Sequence, residues 1–347
     1  MGTMTHIAGR AAFSKAVDIV LKNADKDREK EITKLVDLME KYMGSEKIDV
    51  DYNKVKELIC DKDKTLNKYI NRLLDEINPH VLKTTALNLG YEAFFHGTKT
   101  IRKMREVHDC NVPWLILMDP TSACNLHCTG CWAAEYGNKL NLTFDEMDSV
   151  ITQGKELGIY LYMFTGGEPL VRKEDIIKLC KKHSDCAFLA YTNGTLVDEK
   201  LCEQMVEVGN FYLAISLEGF EAVNDLRRGN GVYGKVMHAM ELLKQYGLIF
   251  GTSICYTSKN IETVTSDEFV DLMVEKGCRY AFYFHYMPVG NDAAVELLPT
   301  MQQRIYMKDR VRQIRNMKDG KGIFTMDFQN DGEYVGGCIA GGRNYFH

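Results

Sequence analysis

The sequence predicts an α/β protein in which a parallel β-sheet follows an all-helical N-terminal extension. Two patterns support this fold class. Up to residue 110, apolar residues recur at three- and four-residue spacing, as on amphipathic helices. After residue 111, six short, continuously apolar runs, typical of strands buried on both faces, alternate with amphipathic helix patterns. Successive strand–helix units imply parallel strands, whose carboxyl ends share the edge where such folds bind ligands.

Each element can be placed along the chain. In the extension, helices are predicted over residues 17–21, 32–42, 55–59, 69–77 and 80–95, the last opened by Pro79. The predicted strands are 114–118, 159–164, 187–191, 212–216, 249–256 and 280–286. The helices between and after them are 143–157, 174–182, 198–208, 233–246, 266–276 and 300–317. This pattern is compatible with a closed barrel, an incomplete barrel or an open doubly wound sheet.

Composition and charge exclude several classes of protein. The 347 residues carry a formal net charge of -5, from 43 basic and 48 acidic side chains spread along the chain. There is no basic block, so nucleic acid is not an expected partner. No apolar run has the length of a bilayer span, and residues 1–30 lack a signal-peptide pattern. We therefore expect no transmembrane segment and a cytoplasmic location.

Three cysteines directly after the first predicted strand are the strongest local signal. Of the 11 cysteines, Cys124, Cys128 and Cys131 lie within eight residues. Clustered cysteines in a cytosolic chain indicate a metal centre rather than disulfides. Three thiolates on a four-iron cluster leave one iron open to an exogenous molecule. A structural zinc site with His127 as fourth ligand is the alternative, although adjacent His127 and Cys128 would then have to reach one ion.

The segment from Met118 to Trp132 resembles the motif of the radical S-adenosylmethionine (SAM) superfamily, Cys-x3-Cys-x2-Cys in the first strand–helix loop. The resemblance covers roughly residues 112–290. It implies a [4Fe-4S] cluster on the three cysteines, SAM as cofactor, and a partial (β/α)6 TIM-like barrel. The family often has an aromatic residue just before the third cysteine, where this chain has Gly130.

Two further strand ends resemble positions at which this family binds SAM. Gly166, Gly167, Glu168 and Pro169 form the GGEP sequence after the second strand, which by resemblance holds the amino group of SAM. Asn193, after the third strand, matches a family position that contacts the ribose or the carboxylate. An ordinary Asn–Gly turn is the alternative at Asn193.

The fourth strand end, residues 216–229, resembles the SLDG…HDxxRG stretch of the cofactor- and peptide-modifying branches. The resemblance implies that Ser216 and Arg228 bind the SAM carboxylate, with Arg227 as the alternative. Glu218 and Asn224 replace the commoner aspartate and histidine, and neither change removes a charge that the site needs.

The end of the chain resembles the opening of a SPASM or twitch extension. Cys338, followed by Ala340 and Gly341, is a candidate first ligand of an auxiliary iron–sulfur cluster, with a lone cysteine as the alternative. Later cysteines do not follow, so we expect a truncated extension. The predicted domains are a helical N-terminal extension (1–110), a radical SAM core (111–320) and the start of a truncated SPASM/twitch-like extension (321–347). The seven remaining cysteines are expected to be mostly buried free thiols.

The function implied by the resemblance is reductive cleavage of SAM to a 5′-deoxyadenosyl radical, which abstracts hydrogen from substrate. An electron donor such as flavodoxin or ferredoxin would supply the electron. The apolar helix at residues 81–95 slightly favours a lipid-like or small-molecule substrate over a peptide, although packing on the barrel is its first interpretation. An iron–sulfur electron carrier or sensor without SAM chemistry is the alternative class. No catalytic residue is assigned; the candidates for the second half-reaction are Tyr283, His285, Tyr286, Asp327 and Asp331.

Overall fold

The structure is a computed structural model that describes residues 3–24, 26–43, 51–131, 133, 137, 139–289, 293–316, 321–335, 337 and 345–346. Trp132 and Cys338 lie outside the described residues, and so does the predicted auxiliary-cluster ligand site at Cys338. The wider SPASM/twitch interpretation of residues 321–347 and the domain boundaries stay predictions.

The extension is helical, as predicted. Its helices are α1 (Thr3–Asn23), α2 (Arg28–Met43), α3 (Tyr52–Cys60), α4 (Thr65–Glu76), α5 (Pro79–Thr85), a π-helix (Ala86–Gly97) and α6 (Thr98–His108). The predicted helix over residues 80–95 therefore corresponds to α5 and most of the π-helix. A π-helical stretch is rare and is frequently found at functional sites.

A parallel sheet forms the core of the remaining chain. Its strands are β1 (Leu115–Met118), β2 (Leu161–Phe164), β3 (Ala187–Thr192), β4 (Phe211–Ser216), β5 (Phe250–Tyr256), β6 (Tyr280–His285), β7 (Phe324–Asp327) and β8 (Tyr345–Phe346). They pair in the order β7-β6-β5-β4-β3-β2-β1-β8, and every pair is parallel. Strands β1–β7 curl into a half-barrel, which confirms the predicted partial TIM-like barrel. The sequence interpretation missed β7, whose Phe-Thr-Met-Asp sequence is not continuously apolar, and β8, which has only two residues.

Helices cover the outside of the half-barrel. They are α7 (Phe144–Glu156), α8 (Lys173–Lys182), α9 (Glu199–Val208), α10 (Glu221–Arg228), α11 (Val232–Gln245), α12 (Ile261–Val264), α13 (Asp267–Glu275) and α14 (Met301–Asn316). All six predicted helices of this part are present, while α10 and α12 were not predicted. Helix α7 begins with the expected capping box, in which Thr143 and Glu146 each bind the other's backbone N–H.

The extension packs closely on the amino ends of the strands. Asn88 of the π-helix donates to the carbonyl of Cys186, just before β3, at 2.8 Å. Arg279, just before β6, pairs with Glu76 of α4 at 2.7 Å. Most of the apolar side chains at residues 81–95 are buried. Val81 and Ala93 join the core of the barrel, whereas Tyr91 and Phe95 pack with Phe13 of α1 and Met39 of α2. Packing, rather than exposure to substrate, therefore accounts for most of that helix.

Within the described part of the chain, no helix combines the length and the apolar character needed to cross a bilayer.

Candidate active site

The loop that carries the three cysteines begins directly after β1, at the carboxyl edge of the sheet. The Cys131 N–H donates to the Cys128 carbonyl at 3.2 Å, and the Thr129 N–H donates to the Arg227 carbonyl at 2.9 Å. The Leu126 N–H donates to the Cys124 sulfur at 3.5 Å. Burial raises the pKa values of the Cys124 and Cys128 thiols, so a bound cation is needed to keep them as thiolates.

The spacing of the cysteine sulfurs separates the two metal interpretations. Around one zinc ion, with Zn–S bonds of about 2.3 Å, tetrahedral sulfurs lie roughly 3.8 Å apart. Among the described side chains, the three sulfurs are not all within 4.8 Å of one another. The ring nitrogens of His127 also do not lie within that distance of two of the sulfurs as a group of three ligands. His127 is also exposed. The described side chains of the loop therefore do not form the compact tetrahedral group that the alternative zinc site needs.

The two glycines of the GGEP segment bring the end of β2 against the cysteine loop. Gly166 has φ +99°, and a Cβ there would lie 2.7 Å from the Thr121 carbonyl oxygen. A Cβ at Gly167 would overlap the Ala123 carbonyl oxygen. The Gly167 N–H donates to Thr121 at 2.9 Å, and the Glu168 N–H donates to Ala123 at 2.8 Å. These glycines are therefore needed for close contact with the loop, beyond any contact with SAM.

Glu168 joins three strand ends from a buried position. It is 1% exposed, and its carboxylate accepts from the Thr192 hydroxyl at 2.6 Å and from the Leu170 and Asn193 N–H groups at 2.9 and 2.7 Å. Burial raises the pKa of Glu168, and the three hydrogen bonds oppose that effect. The position of Glu168 fits a role in which its carboxylate holds the residues at the end of β3 in place.

Asn193 is both a turn residue and a support for the cysteine loop. Its side-chain oxygen accepts from the Thr195 N–H at 2.9 Å, as in an Asn–Gly turn. Its Nδ2 donates to Asn125 at 2.8 Å and lies 4.0 Å from the Cys124 sulfur. The Asn–Gly turn interpretation is thus confirmed, while direct contact with SAM stays a prediction.

Two arginines of α10 share one carboxylate beside the cysteines. Glu218, which has no exposed surface, pairs with Arg227 at 2.8 Å and with Arg228. Arg228 also reaches the Cys128 sulfur at 3.9 Å. Two guanidinium groups against one carboxylate leave a positive charge next to the cluster site. Ser216, at the end of β4, lies at the same edge of the sheet and is partly exposed.

The structure explains why this chain has Gly130 where the family often has an aromatic residue. Gly130 has φ +67°, and the space that its side chain would need is filled by the ring and hydroxyl of Tyr286. Tyr286 is 2% exposed, and its hydroxyl accepts from the Ala294 N–H at 3.0 Å. An aromatic ring therefore packs on the cysteine loop, although it follows β6 rather than belonging to the loop.

Cys255 is a member of this site that the sequence interpretation missed. The sequence analysis grouped it with the cysteines expected to be mostly buried. Of these, Cys180, Cys186, Cys202 and Cys278 are buried, and Cys60 and Cys110 are exposed. Cys255 is intermediate. Burial raises the pKa of the Cys255 thiol to about 11, with the Arg227 charge opposing this shift and the Glu218 charge adding to it. Cys255 pairs in register with Phe284 of β6, so both side chains share the face that carries the cysteine site. Only its place inside the half-barrel could have distinguished it from the other cysteines.

Most candidates for the second half-reaction serve the fold. The Tyr283 hydroxyl donates to the Val264 carbonyl at 3.1 Å. Asp327 accepts from the Asn330 side chain at 2.7 Å, and Asp331 pairs with Arg315 of α14. His285 differs, because it is half-buried as a residue and its Nδ1 is a buried atom with no hydrogen-bond partner in the described part of the chain. Among these candidates His285 therefore has a ring nitrogen without a partner.

The half-barrel and the three-thiol loop at its carboxyl edge define an iron–sulfur enzyme with a charged pocket beside the cluster. Residues 118–280 match the family model "Radical SAM superfamily", so the chain carries a radical SAM domain. Its cofactors are a [4Fe-4S] cluster and SAM, and the residues described above fit both. The match begins at the last residue of β1 and ends in β6, so it covers the strand ends that carry the site.

Curated relatives align with a large part of the chain. The Fe-coproporphyrin III synthase of Methanosarcina barkeri is 24% identical over 233 residues, which cover 64% of this chain and 57% of the relative. The AdoMet-dependent heme synthase of the same organism is 28% identical over 202 residues, covering 56% of this chain and 57% of the relative. The chain thus spans little more than half the length of these relatives.

The fold is similar to that of solved radical SAM enzymes. The structure of Streptococcus suis SuiB bound to S-adenosylmethionine superposes with a TM-score of 0.55 at 16% identity, covering 74% of this chain and 58% of SuiB. At this identity the likeness concerns the fold alone.

Proposed function

We propose that this enzyme cleaves SAM reductively at a cluster held by Cys124, Cys128 and Cys131. When bound, the cluster and SAM supply a 5′-deoxyadenosyl radical that abstracts hydrogen from substrate. The observation that carries the proposal is the convergence of three strand ends on the cysteine loop that follows β1. The contacts are made by Gly167 and Glu168, by Asn193, and by the Arg227–Arg228–Glu218 group.

In the proposal, the charged groups of the chain orient SAM. The positive charge left by Arg227, Arg228 and Glu218 attracts the carboxylate of SAM, with Arg228 closest to the cysteines and Ser216 as a neutral donor. The carbonyls of Gly166 and Gly167 accept no hydrogen bond from the described residues, and they would receive the amino group. Glu168 and Asn193 then act as positioning residues that hold the loop.

The protein must also keep the radical away from water and from its own side chains. Tyr286 closes the site from one side through its contact with Gly130. Along the inner face, Tyr191 and Phe328 pack around Phe284, with ring centroids 5.9 and 5.1 Å apart. These aromatic rings support a lipid-like or small-molecule substrate that presents an apolar part near Cys255.

A peptide is the second candidate substrate. It is supported by a second solved structure of SuiB, which holds the precursor peptide SuiA and superposes with a TM-score of 0.54 at 17% identity. An electron donor such as flavodoxin or ferredoxin would serve either reaction.

The test of SAM cleavage is an anaerobic assay of 5′-deoxyadenosine on the reconstituted, reduced protein. We expect the product from the wild-type chain and from Cys110→Ala, whose exposed thiol lies outside the site. A fully loaded cluster that yields no 5′-deoxyadenosine would instead support an electron carrier or sensor.

The substrate class can be separated with deuterium. Lipid, small-metabolite and peptide fractions from cells grown in deuterated medium would each be added to the protein. Deuterium in 5′-deoxyadenosine from the lipid or metabolite fraction is the expected result, and transfer only from the peptide fraction would favour the second candidate.

A further inference from the structure

A second cluster of potential metal ligands lies at the opposite end of the barrel from the cysteines. His6 of α1 and Glu92 and His96 of the π-helix each offer one ligand atom, and these atoms all lie within 4.8 Å of one another. No other group of this kind is found among the described side chains. Two imidazoles and one carboxylate form a ligand set typical of zinc with one position left for water.

We infer that His6, Glu92 and His96 bind a divalent transition-metal ion, such as Zn²⁺, that fastens α1 to the barrel. The ion would have a structural role, because the site is remote from the SAM pocket. Gly97, next to His96, packs against Gly158 before β2, at the amino ends of the strands. The cysteines lie at the carboxyl ends.

The distances suit an ion with short bonds. His6 Nε2 and Glu92 Oε2 are 2.9 Å apart. Ligand bonds of about 2.1 Å place neighbouring ligand atoms roughly 3.0–3.4 Å apart, so this pair already has the required separation. The His6 and His96 rings stack with centroids 3.8 Å apart, and the ligand atom of His96 lies within 4.8 Å of those of His6 and Glu92. The His96 carbonyl accepts from the Thr100 hydroxyl, but its ring forms no hydrogen bond with the described residues, so the ring nitrogens are available.

The π-helix carries two of the ligands. Glu92 and His96 lie four residues apart in it, so their side chains are on the same side of the helix. Glu92 is only 1% exposed, and His6 and Arg10 pair with its carboxylate there. An ion at Oε2 would replace the hydrogen bond from His6 with a stronger positive partner for this buried carboxylate.

Some charges near the His6–Glu92–His96 cluster favour binding of a metal ion, and others oppose it. Arg10 Nε forms an ion pair with the other carboxylate oxygen, Oε1, at 2.7 Å, which leaves Oε2 for the ion. The Lys99 amine lies 4.1 Å from the Phe95 ring centre rather than on Glu92. Both cations weaken binding of an ion, whereas Asp185, whose charge acts on Glu92, favours it.

The test is the zinc content of the untagged protein with its iron–sulfur cluster loaded, after equilibration with micromolar Zn²⁺ and removal of free ion. We expect about one zinc per chain in the wild type and in His108→Ala, a control at an exposed histidine of α6. Zinc should be lost in His96→Ala and in Glu92→Gln, which preserves the shape of the side chain.

Cluster content and circular dichroism would show that these variants remain folded. A visible absorption band after Co²⁺ substitution, present in the wild type and absent in Glu92→Gln, gives a second readout. A wild-type chain that retains no zinc, or variants that retain as much as the wild type, would overturn the inference. Loss of SAM cleavage with zinc retained would affect only the proposed function.

Discussion

The two edges of the half-barrel are held together in different ways. At the carboxyl edge, backbone segments touch directly, as where Gly167 meets Ala123, and charged side chains such as Arg228 point towards the cysteines. At the amino edge, helices of the extension cover the strand ends with long side chains such as Asn88 and Glu76. The first arrangement leaves ligand groups open beside a rigid frame, whereas the second closes the barrel. Changes at the carboxyl edge should therefore affect chemistry, and changes at the amino edge should affect docking of the extension.

The largest effect is expected from Cys128→Ala. Removing one of three thiolates should prevent stable cluster binding and abolish 5′-deoxyadenosine formation, because each thiolate holds one iron. Iron and sulfide analysis of the reconstituted protein measures this directly. Cys110→Ala, at an exposed cysteine, is the matched control, and a Cys128→Ala protein with full iron content would disprove the ligand assignment.

The second-largest effect is expected from Gly167→Ala. The new Cβ would push the Ala123 carbonyl away and displace the cysteine loop, so most of the cluster should be lost while the fold persists. Gly234 in α11 has open space around its Cβ position, and Gly234→Ala should leave cluster content unchanged. Equal iron content in the two variants would refute the close-contact role of Gly167.

Arg228→Lys should have an intermediate effect. The charge remains, but a charge-assisted hydrogen bond of roughly 1.5–3 kcal/mol is weakened, so the KM for SAM should rise about tenfold or more. Arg227→Lys is the comparison, since Arg227 also pairs with Glu218 but makes no contact with the Cys128 sulfur in the described structure. A larger effect from Arg227→Lys would transfer the carboxylate-binding role to that residue.

The smallest effect on chemistry is expected from His96→Ala. The site at His96 and the SAM pocket lie at opposite ends of the strands, so their contributions should be independent. The rate of 5′-deoxyadenosine formation should match the wild type, and in a double variant with Arg228→Lys the KM for SAM should equal that of Arg228→Lys alone. A further change of this KM in the double variant would show that the two edges are coupled.

The sequence was sufficient for much of the carboxyl edge. Strand patterns and the spacing of Cys124, Cys128 and Cys131 depend on residues close together in the chain, and the half-barrel was predicted correctly. The packing of Tyr286 on Gly130 and the place of Cys255 depend on contacts between distant segments, which a local pattern does not contain. The same holds for the contact between His6 and Glu92, which are 86 residues apart.

The most direct test of the central claim is magnetic resonance of the reduced cluster with SAM labelled by a magnetic nitrogen isotope in its amino group. If the three cysteines leave one iron open for SAM, the spectrum should show coupling between the cluster and the labelled nitrogen. The coupling should be present in Cys110→Ala as well. A reduced, fully loaded cluster whose spectrum is unchanged by labelled SAM would contradict the account.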